Sequence, residues 1–600
     1  MAENSITGSI AAPGFYGLNT QDSSVQLNSG FALEANNCVI DKYGRIGARK
    51  GWKPVNTSPL SPAGDVQAIF ELVKADGNVV LSAANNHIYE GTTTLTQKTI
   101  CGTNFHTGTF TRSGTTLTVS SSAHGYSVGQ QVYLNNTDHT GEYTIVSVPS
   151  SSTFTVTVTN SGATSGSINT VNVLSFTITD DNWQFVSMPY SSGLTGSAHA
   201  VAVQEGHIPL VFHKLGTSSH AHTDGYHFQR LADVGNTPSG YSVTTFKPSC
   251  ALSAYGRLWV AGTAITDTQT VYFSDLQNPS EWQTGTSGYL DISAVIPTGD
   301  PIVALASHNG FLVIFCKRHI VVYSGASDPA SLTLADVISG VGCIARDTVQ
   351  SVGGTDILFL SETGVQSFQR VIQEKSLPFR EVSKNVRDDL IGRLLSETEA
   401  DIKGVYYPTD ALYLLALPTN EVTYCFDTRG VLENGASRTT LWTGINPTSF
   451  CVTADKKLYI GKPGYIGNYT EYEDNTATYR FAYYTNYFDF DQPSLLKILK
   501  KINMIAIGGS GQPIVFKWAF DYNSNYNSGV LSLDRITIAE YGLAEYGVSE
   551  YTNGVALDNV TTQASGTGRI LQLGFEADID GAPLSIQKID FSLKSGKTVI

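Results

Sequence analysis

IVALASHNGFLVIFCKRHIVVY, residues 302–323, holds three apolar runs, IVALA, FLVIFC and IVVY, separated only by Ser307-His308-Asn309-Gly310 and Lys317-Arg318-His319. The runs are too short for core helices and rich in Val, Ile and Phe, and the first two meet at an Asn-Gly pair suited to a type I′ hairpin. They predict a meander of buried antiparallel strands. The same unit recurs outward in AIFEL (68–72), NVVLSAANNHIYEG (78–91, with Ala84-Asn85-Asn86 as the turn), RLWVAG (257–262), QTVYFSD (269–275), DILFLSETGVQSF (356–368), ALYLLALPTNEVTYCF (411–426) and KLYIGKPGYIGNY (457–469). After Val201 the strands return every ~40 to 50 residues, a propeller period. We therefore expect an all-β chain whose main body is a β-propeller of about six blades over residues 62–470.

Composition agrees with many turns and pleated surfaces: 57 Gly, 30 Tyr and only 3 Met among 600 residues, with charged residues at 15%. That length exceeds what one hydrophobic core serves, so at least one appended module is expected. A formal net charge of -15 disfavours gripping nucleic acid through phosphate neutralisation, although it does not stop DNA from passing by. The start MAENSITGSIAAPGF has no basic n-region or apolar core of signal-peptide length, and no apolar run is long enough to span a bilayer. A soluble chain made in the cytosol is expected. Seven cysteines stand singly, mostly inside apolar runs. With no C-x-x-C pair, they read as buried free thiols.

The strand rhythm divides the chain. Residues 1–61 read as an arm or platform segment and 62–105 as the first propeller part. Residues 106–170 carry almost no charge beyond Arg112, Asp138 and Glu142, and Phe154, Val156 and Val158 alternate with Thr155 and Thr157. This predicts a small immunoglobulin-like β module inserted at a hairpin tip. Residues 171–473 continue the propeller, with one helix near 383–396 carrying Val386, Leu390, Ile391, Leu394 and Leu395 on one side and Ser383 as its N-cap. Residues 474–600 read as a β platform and contact segment shared with the N-terminal arm, including a loop with Glu540-Tyr541, Glu545-Tyr546 and Glu550-Tyr551. That loop is a Tyr-rich contact surface or a solvated low-complexity stretch.

Few residues suggest chemistry. Six of the 12 histidines fall between His199 and His227, and His220, His222 and His227 with Asp224 offer several donors to one metal. The alternative is a set of solvated loop histidines, because a Ser, Thr and Gly-rich loop offers little outer-shell support. Glu576, Asp578, Asp580 and Gly581 imitate the opening of a calcium loop but lack its later positions and read as a hairpin turn. Asp489 and Asp491 sit two apart on an apparent strand and could share a face, but glycoside hydrolysis needs two carboxylates opposed across a cleft. Gly125-Tyr126-Ser127-Val128-Gly129 has the letters of a nucleophile elbow without the following helix, and Gly340, Gly342 and Ala345, like Gly596-Lys597-Thr598, are chance matches to nucleotide loops. No catalytic residue and no cofactor is expected. Basic residues gather at Lys42 to Lys53 and at Lys497, Lys500 and Lys501, as subunit salt-bridge partners or solvated faces.

One resemblance rests on ordered blocks. GLNTQDSSVQLNSGFALEANNCVIDKYGRIGARKGW, with Gly17, Leu18, Asn19, Thr20 and Asp22, then Asn36, Asn37 and Cys38, then Gly44, Arg45, Arg49, Gly51 and Trp52, resembles the opening of the tail tube and nozzle proteins of short-tailed bacteriophages. The later blocks RLWVAG, VYFSDLQNPSEW, FLVIFCKRHIVVYSG and ISGVGCIARDTVQSVGGTDILFLSETGVQSF follow the order such proteins show. The resemblance covers most of 12–53 and 198–525. It implies a structural virion protein assembled in the host cytoplasm: a homo-oligomeric, hexameric ring below an adaptor ring, near tail fibre or spike proteins, facing the host envelope during infection. Duplex DNA would be passing cargo, not specifically bound. On this reading Arg45, Arg49 and Trp52 are contacts to a neighbouring subunit or the adaptor, since Arg and Trp anchor interfaces. A receptor-binding or polysaccharide-degrading tail spike and a carbohydrate-binding propeller are the competing readings.

Overall fold

A computed structural model describes residues 5–24, 26–74, 77–174, 182–188, 199–204, 206–214, 226–262, 267–374, 381–508, 513–533 and 557–598. The chain is nearly all-β, 53% strand and 5% helical, with propeller-like blades. Among the described residues, five sheets of three or four strands stand as separate blades, and two further four-strand meanders lie within larger sheets. Among the described residues the separate blades number five, against the about six expected.

The chain forms two compact units. One, residues 56–346 with 463–465, carries successive meanders whose faces are apolar on both sides. Leu81, Phe185, Phe212 and Phe228 join the first meander to the next, Val201, Val211, Leu258 and Val260 join that one to the third, and Trp259, Phe273, Leu312 and Ile314 join the third to the fourth. Strands buried on both faces need continuous rather than alternating hydrophobicity, which is what the run 302–323 shows. Its strands are Ile302–His308, Phe311–Cys316 and His319–Ser324. Asn309 and Gly310 both take positive φ, 48° and 83°, the signature of a type I′ turn; Asn85 and Asn86 do the same at 53° and 61°.

The insert belongs to this unit. Strands Ile100–Ser113 and Ser165–Val173 leave and return as an antiparallel pair, with His106 opposite Thr170. It has its own core of Phe110, Leu117, Val132, Ile145, Phe154 and Val156. Its pairing goes further than an immunoglobulin-like sandwich requires: Ile100–Ser113 bonds both Thr116–Ser120 and Ser165–Val173, so the strands close into a ring. Irregular register at Ile145, Ser147 and Ser150 bends the strand Gly141–Ser150, and such bulges supply the curvature that closure needs.

The other unit comprises residues 1–55, 347–462 and 466–600. Its second boundary falls inside the expected 171–473 propeller segment, because the meander Lys403–Tyr407, Leu412–Leu417, Val422–Asp427 and Thr439–Thr443 continues edge to edge into Gly17–Leu18, Phe31–Asn36, Tyr479–Phe488 and Leu571–Ile579. A second platform sheet joins Ser5–Ala11, Cys38–Ile40 and Ile46–Ala48 to Leu495–Gly508 and Leu584–Thr598. The N-terminal arm is thus part of the platform, as expected, and Gly51–Pro54 completes the sheet of Phe450–Val452, Leu458–Lys462 and Tyr465–Thr470.

The helix is shorter than expected: a 3₁₀ turn at Lys384–Val386 leads into Arg387–Leu394, and Leu395 is exposed. Ser383 is not its cap, because its hydroxyl accepts the N–H of Val365 at 2.9 Å and ties the helix start to a strand. All seven cysteines are free and buried. No described helix is long and apolar enough to cross a membrane.

Candidate functional site

The residues singled out at the N-terminus converge within the platform unit. Asn37 adopts φ 53°, which turns the chain between Phe31–Asn36 and Cys38–Ile40 and presents its amide sideways. Its Oδ1 accepts from the Thr443 N–H at 2.9 Å and from Arg49 Nε at 2.8 Å, while its Nδ2 donates to the Arg480 carbonyl at 2.8 Å. Arg49 has no exposed surface. Its guanidinium forms a bidentate pair with Asp474 at 2.9 and 2.7 Å, donates to the carbonyls of Lys50 and Thr443, and lies 4.1 Å from the centre of the Tyr479 ring. Every N–H of the fork therefore has an acceptor, the condition under which a buried charge is tolerated. Burial pushes the Tyr479 phenol far above its ordinary range, against the opposing pull of Arg49.

Gly51 and Trp52 follow from the same packing. A Cβ on Gly51 would stand 1.9 Å from the Glu473 carbonyl oxygen, so only glycine lets the two backbones approach. That approach lets Trp52 N–H donate to Glu473 and Asn475 N–H donate to Trp52. The Trp52 ring carries the Lys462 ammonium 5.1 Å from its centre. Together Trp52, Asn37, Lys462, Asp474, Tyr479 and Arg480 line a recess of about 440 Å³. Its charges are already engaged: Asp474 by Arg49, Lys462 by the Ile445 carbonyl at 2.7 Å, Arg480 by Glu576 at 2.7 Å. The arrangement positions backbone rather than activating a group.

Arg45 pairs with Asp41 at 2.6 Å and stacks on Tyr43 at 4.6 Å, closing a tight turn at Gly44. Lys53 is paired with Glu471, and Lys497 donates to three backbone carbonyls, of Gln492, Leu495 and Arg569. Arg45, Arg49, Lys53 and Lys497 thus have partners inside their own chain. In particular Arg49, expected at a subunit or adaptor contact, is enclosed by its own chain, because Asp474 and Tyr479 reach it from a segment the sequence did not connect to it.

In the other unit a row of histidines appears that sequence reasoning missed. His213 faces His227 across strands Leu210–Lys214 and Tyr226–Arg230, and the register Ala200 to Phe212 sets His199 beside His213. All are buried. Desolvation pushes the imidazoles of His199 and His213 down to about 4. Gln229 donates its amide to the Gly102 carbonyl, so its Oε1 accepts from His213 Nε2 at 2.8 Å and fixes that tautomer. His227 packs edge-on to Tyr133 of the insert at 4.8 Å. The equal spacing of 199, 213 and 227 along the chain was the available signal for three equal strands of a meander. Of the metal candidates, His220, His222 and Asp224 lie outside the described residues, as do the Glu-Tyr repeats, and His227 belongs to this row. Among the described residues no group of His, Cys, Asp and Glu is placed to hold a metal.

The remaining sequence candidates are structural. Asp489 and Asp491 sit in a turn, not on a strand, with Phe490 and Asp491 at φ 57° and 56°. Glu576 lies on Leu571–Ile579 and pairs with Arg480, while Gly581, Gly125, Gly129 and Gly340 take positive φ as turn glycines.

No protein-family model matches the chain, and no curated protein sequence matches it. Solved structures with similarity include the phage phi92 endosialidase, at 14% identity and a TM-score of 0.20 over 57% of this chain and 62% of that one. PorZ, a surface component of the type-IX secretion system of Porphyromonas gingivalis, is similar at 11% identity and a TM-score of 0.30 over 69% of this chain and 37% of its own. The Pan2 WD40 domain of Neurospora crassa is similar at 9% identity and 0.24 over 48% and 86%. The chain spans less than two thirds of the first two proteins, and likenesses this low bear on no function.

Proposed function

We propose that this chain is a structural subunit of a short-tailed phage tail, a nozzle ring that extends the tail tube below the adaptor and forms the channel for genome exit. One observation carries the reading. The block 17–52, the first of the ordered blocks on which the resemblance to nozzle proteins rests, is fastened by Asn37, Arg49 and Gly51 to Thr443, Asp474 and Glu473, as much as 425 residues away. A ring component that guides DNA under load needs such a lock, because chain ends that merely dangle cannot transmit force between sheets. The acidic balance supports the same role, since a wall that repels phosphate lets DNA slide.

The test is negative-stain imaging of the purified full-length protein, alone and with an adaptor ring. Closed rings with a central channel are expected; trimeric rods would favour a tail spike and isolated discs a monomeric binding propeller. A titration of labelled duplex at about 0.15 M salt should show weak, sequence-independent binding. Submicromolar, sequence-selective binding would overturn the conduit role.

A further inference from the structure

Asp300, His319 and Ser339 stand in line across one four-strand meander, apart from both the platform lock and the histidine row. His319 opens the strand His319–Ser324, and its Nδ1 donates to Asp300 Oδ2 at 2.6 Å. Asp300 lies just before the strand Ile302–His308, and its Oδ1 also accepts the Arg318 N–H at 3.1 Å, which holds the carboxylate in place. On the other flank His319 pairs with Ser339, the last residue of the strand Thr333–Ser339. Gly340 N–H donates to the Arg318 carbonyl at 3.0 Å. Arg318 and Gly340 are therefore a hydrogen-bonded pair, and His319 and Ser339 form the adjoining non-hydrogen-bonded one. In such a pair both side chains share a face, with Cβ atoms ~4.5–5.5 Å apart.

A carboxylate on Nδ1 fixes the tautomer in which Nε2 carries the lone pair. The two ring nitrogens lie on opposite edges of the imidazole, and the sheet order sets Asp300 on one flank of His319 and Ser339 on the other. A ring held through Nδ1 by Asp300 thus turns Nε2 toward Ser339. Burial is graded along the same line: the Asp300 side chain is 8% exposed, that of His319 15%, and Ser339 faces solvent. Thr333–Ser339 is the outer strand of its sheet, and the register points the Ser339 N–H outward. The equivalent outward N–H of Val337 is taken by Asp336 Oδ1 at 3.0 Å, whereas that of Ser339 is unbonded among the described residues. Gly340, at φ 81°, turns the chain away immediately after the serine and has open space around it. The hydroxyl is therefore reachable from solvent, beside an oriented base and a spare N–H donor.

We propose that these residues form a hydrolytic site for short-chain carboxylic esters, acetyl esters above all, with Ser339 as nucleophile, His319 as general base and acid, and Asp300 as the positioning residue. A rotation about χ1, cheap for an exposed serine, brings Oγ to Nε2. Oγ attacks the ester carbonyl carbon, its proton passes to Nε2, and the carbonyl π pair moves to the oxygen, which the Ser339 N–H meets. Collapse expels the alcohol, which takes the proton from Nε2 and leaves the acyl group on Oγ. Water then gives a proton to Nε2 and attacks the acyl carbon, and the second collapse frees the carboxylic acid and returns the proton to Oγ. An open sheet edge suits a short acyl group carried on a larger molecule. The proposal stands apart from the nozzle reading, since ring formation does not depend on these three side chains.

The test uses the full-length protein with p-nitrophenyl acetate as substrate and a fluorophosphonate as covalent probe, the labelled residue being located by peptide mass spectrometry. Turnover of the ester and labelling of Ser339 are expected. Ser339→Ala, at an exposed position, should abolish labelling with the melting temperature unchanged. His319→Gln should slow both labelling and turnover at least ~100-fold, the lower end of what a general base contributes. Asp300→Asn keeps an acceptor for the Arg318 N–H and should lower kcat with KM unchanged, because the carboxylate does not touch the substrate. Absence of label on Ser339, or turnover that survives Ser339→Ala or His319→Gln undiminished, would overturn the proposal.

Discussion

Arg49→Ala should open the platform locally without unfolding the chain. The substitution removes a guanidinium with no exposed surface and strands Asp474, whose side chain is only 11% exposed. It also removes the donor to the Lys50 and Thr443 carbonyls. Breaking one side of a buried pair costs ~3–5 kcal/mol. Asp474 keeps some access to water and Asn37 Oδ1 keeps the Thr443 N–H, so the lower half of that range, ~3–4 kcal/mol, applies. Hydrogen exchange followed by mass spectrometry reads this directly on peptides holding the Trp52 and Asn475 amides, whose bonds to Glu473 and Trp52 close the lock. Their opening equilibrium should rise by a factor of a few hundred, on the order of what 3–4 kcal/mol gives, while peptides from Ile302–Ser324 stay protected. Arg49→Lys keeps a charge but loses the fork, and should fall between. A cycle with Asp474→Ala should show coupling of ~2–3 kcal/mol. Protection unchanged within ~1 kcal/mol, or strictly additive single effects, would refute the assignment of the lock to this pair.

Other expectations follow from the same geometry. His199 and His213 titrate in the folded state at about 4, below the ordinary 6.5. The unfolded chain therefore takes up protons first, and stability falls as pH drops from about 6.5 toward 4, by up to ~1.4 kcal/mol per pH unit for each histidine. Melting curves across that window should show the slope, and it should shrink in His199→Asn; an equal slope in the variant would remove the row as its cause. Gly51→Ala, which places a Cβ against the Glu473 carbonyl, should cost at least ~2 kcal/mol. Gly392→Ala, on the helix Arg387–Leu394 with open space around it, should gain ~0.5–1 kcal/mol; comparable melting shifts for the two would contradict the close-approach argument. Replacing 107–169 by a short Gly-Ser linker between the paired residues His106 and Thr170 should leave a soluble body with cooperative melting. Aggregation of that deletion variant would show that the module's core is needed by its host.

Much of the fold was legible because its signals are local. The Asn309-Gly310 and Asn85-Asn86 turns follow from residues that tolerate positive φ, and the short apolar runs within 302–323 and 411–426 follow from strands covered on both faces. The charge-poor alternation of the insert marked it as a separate small core. Less of the candidate site was legible. Ser383 looked like a cap because its local spacing fits one, yet Val365 competes for its hydroxyl from another strand. Asp489 and Asp491 looked like strand partners because period two continues past the strand end, where the chain in fact turns.

By itself, the sequence determined that this chain is a meander of buried strands with a polar β insert and buried thiols, since those properties depend on φ preference, side-chain period and hydropathy within a few residues. Only the tertiary structure decided that Arg49 belongs to Asp474, that the insert's strands close into a ring, and that His199, His213 and His227 form one row. The first of these requires two segments to meet across 425 residues of chain. The free energy of such a meeting is set by packing after the loop has closed, and it leaves no periodic trace in either segment.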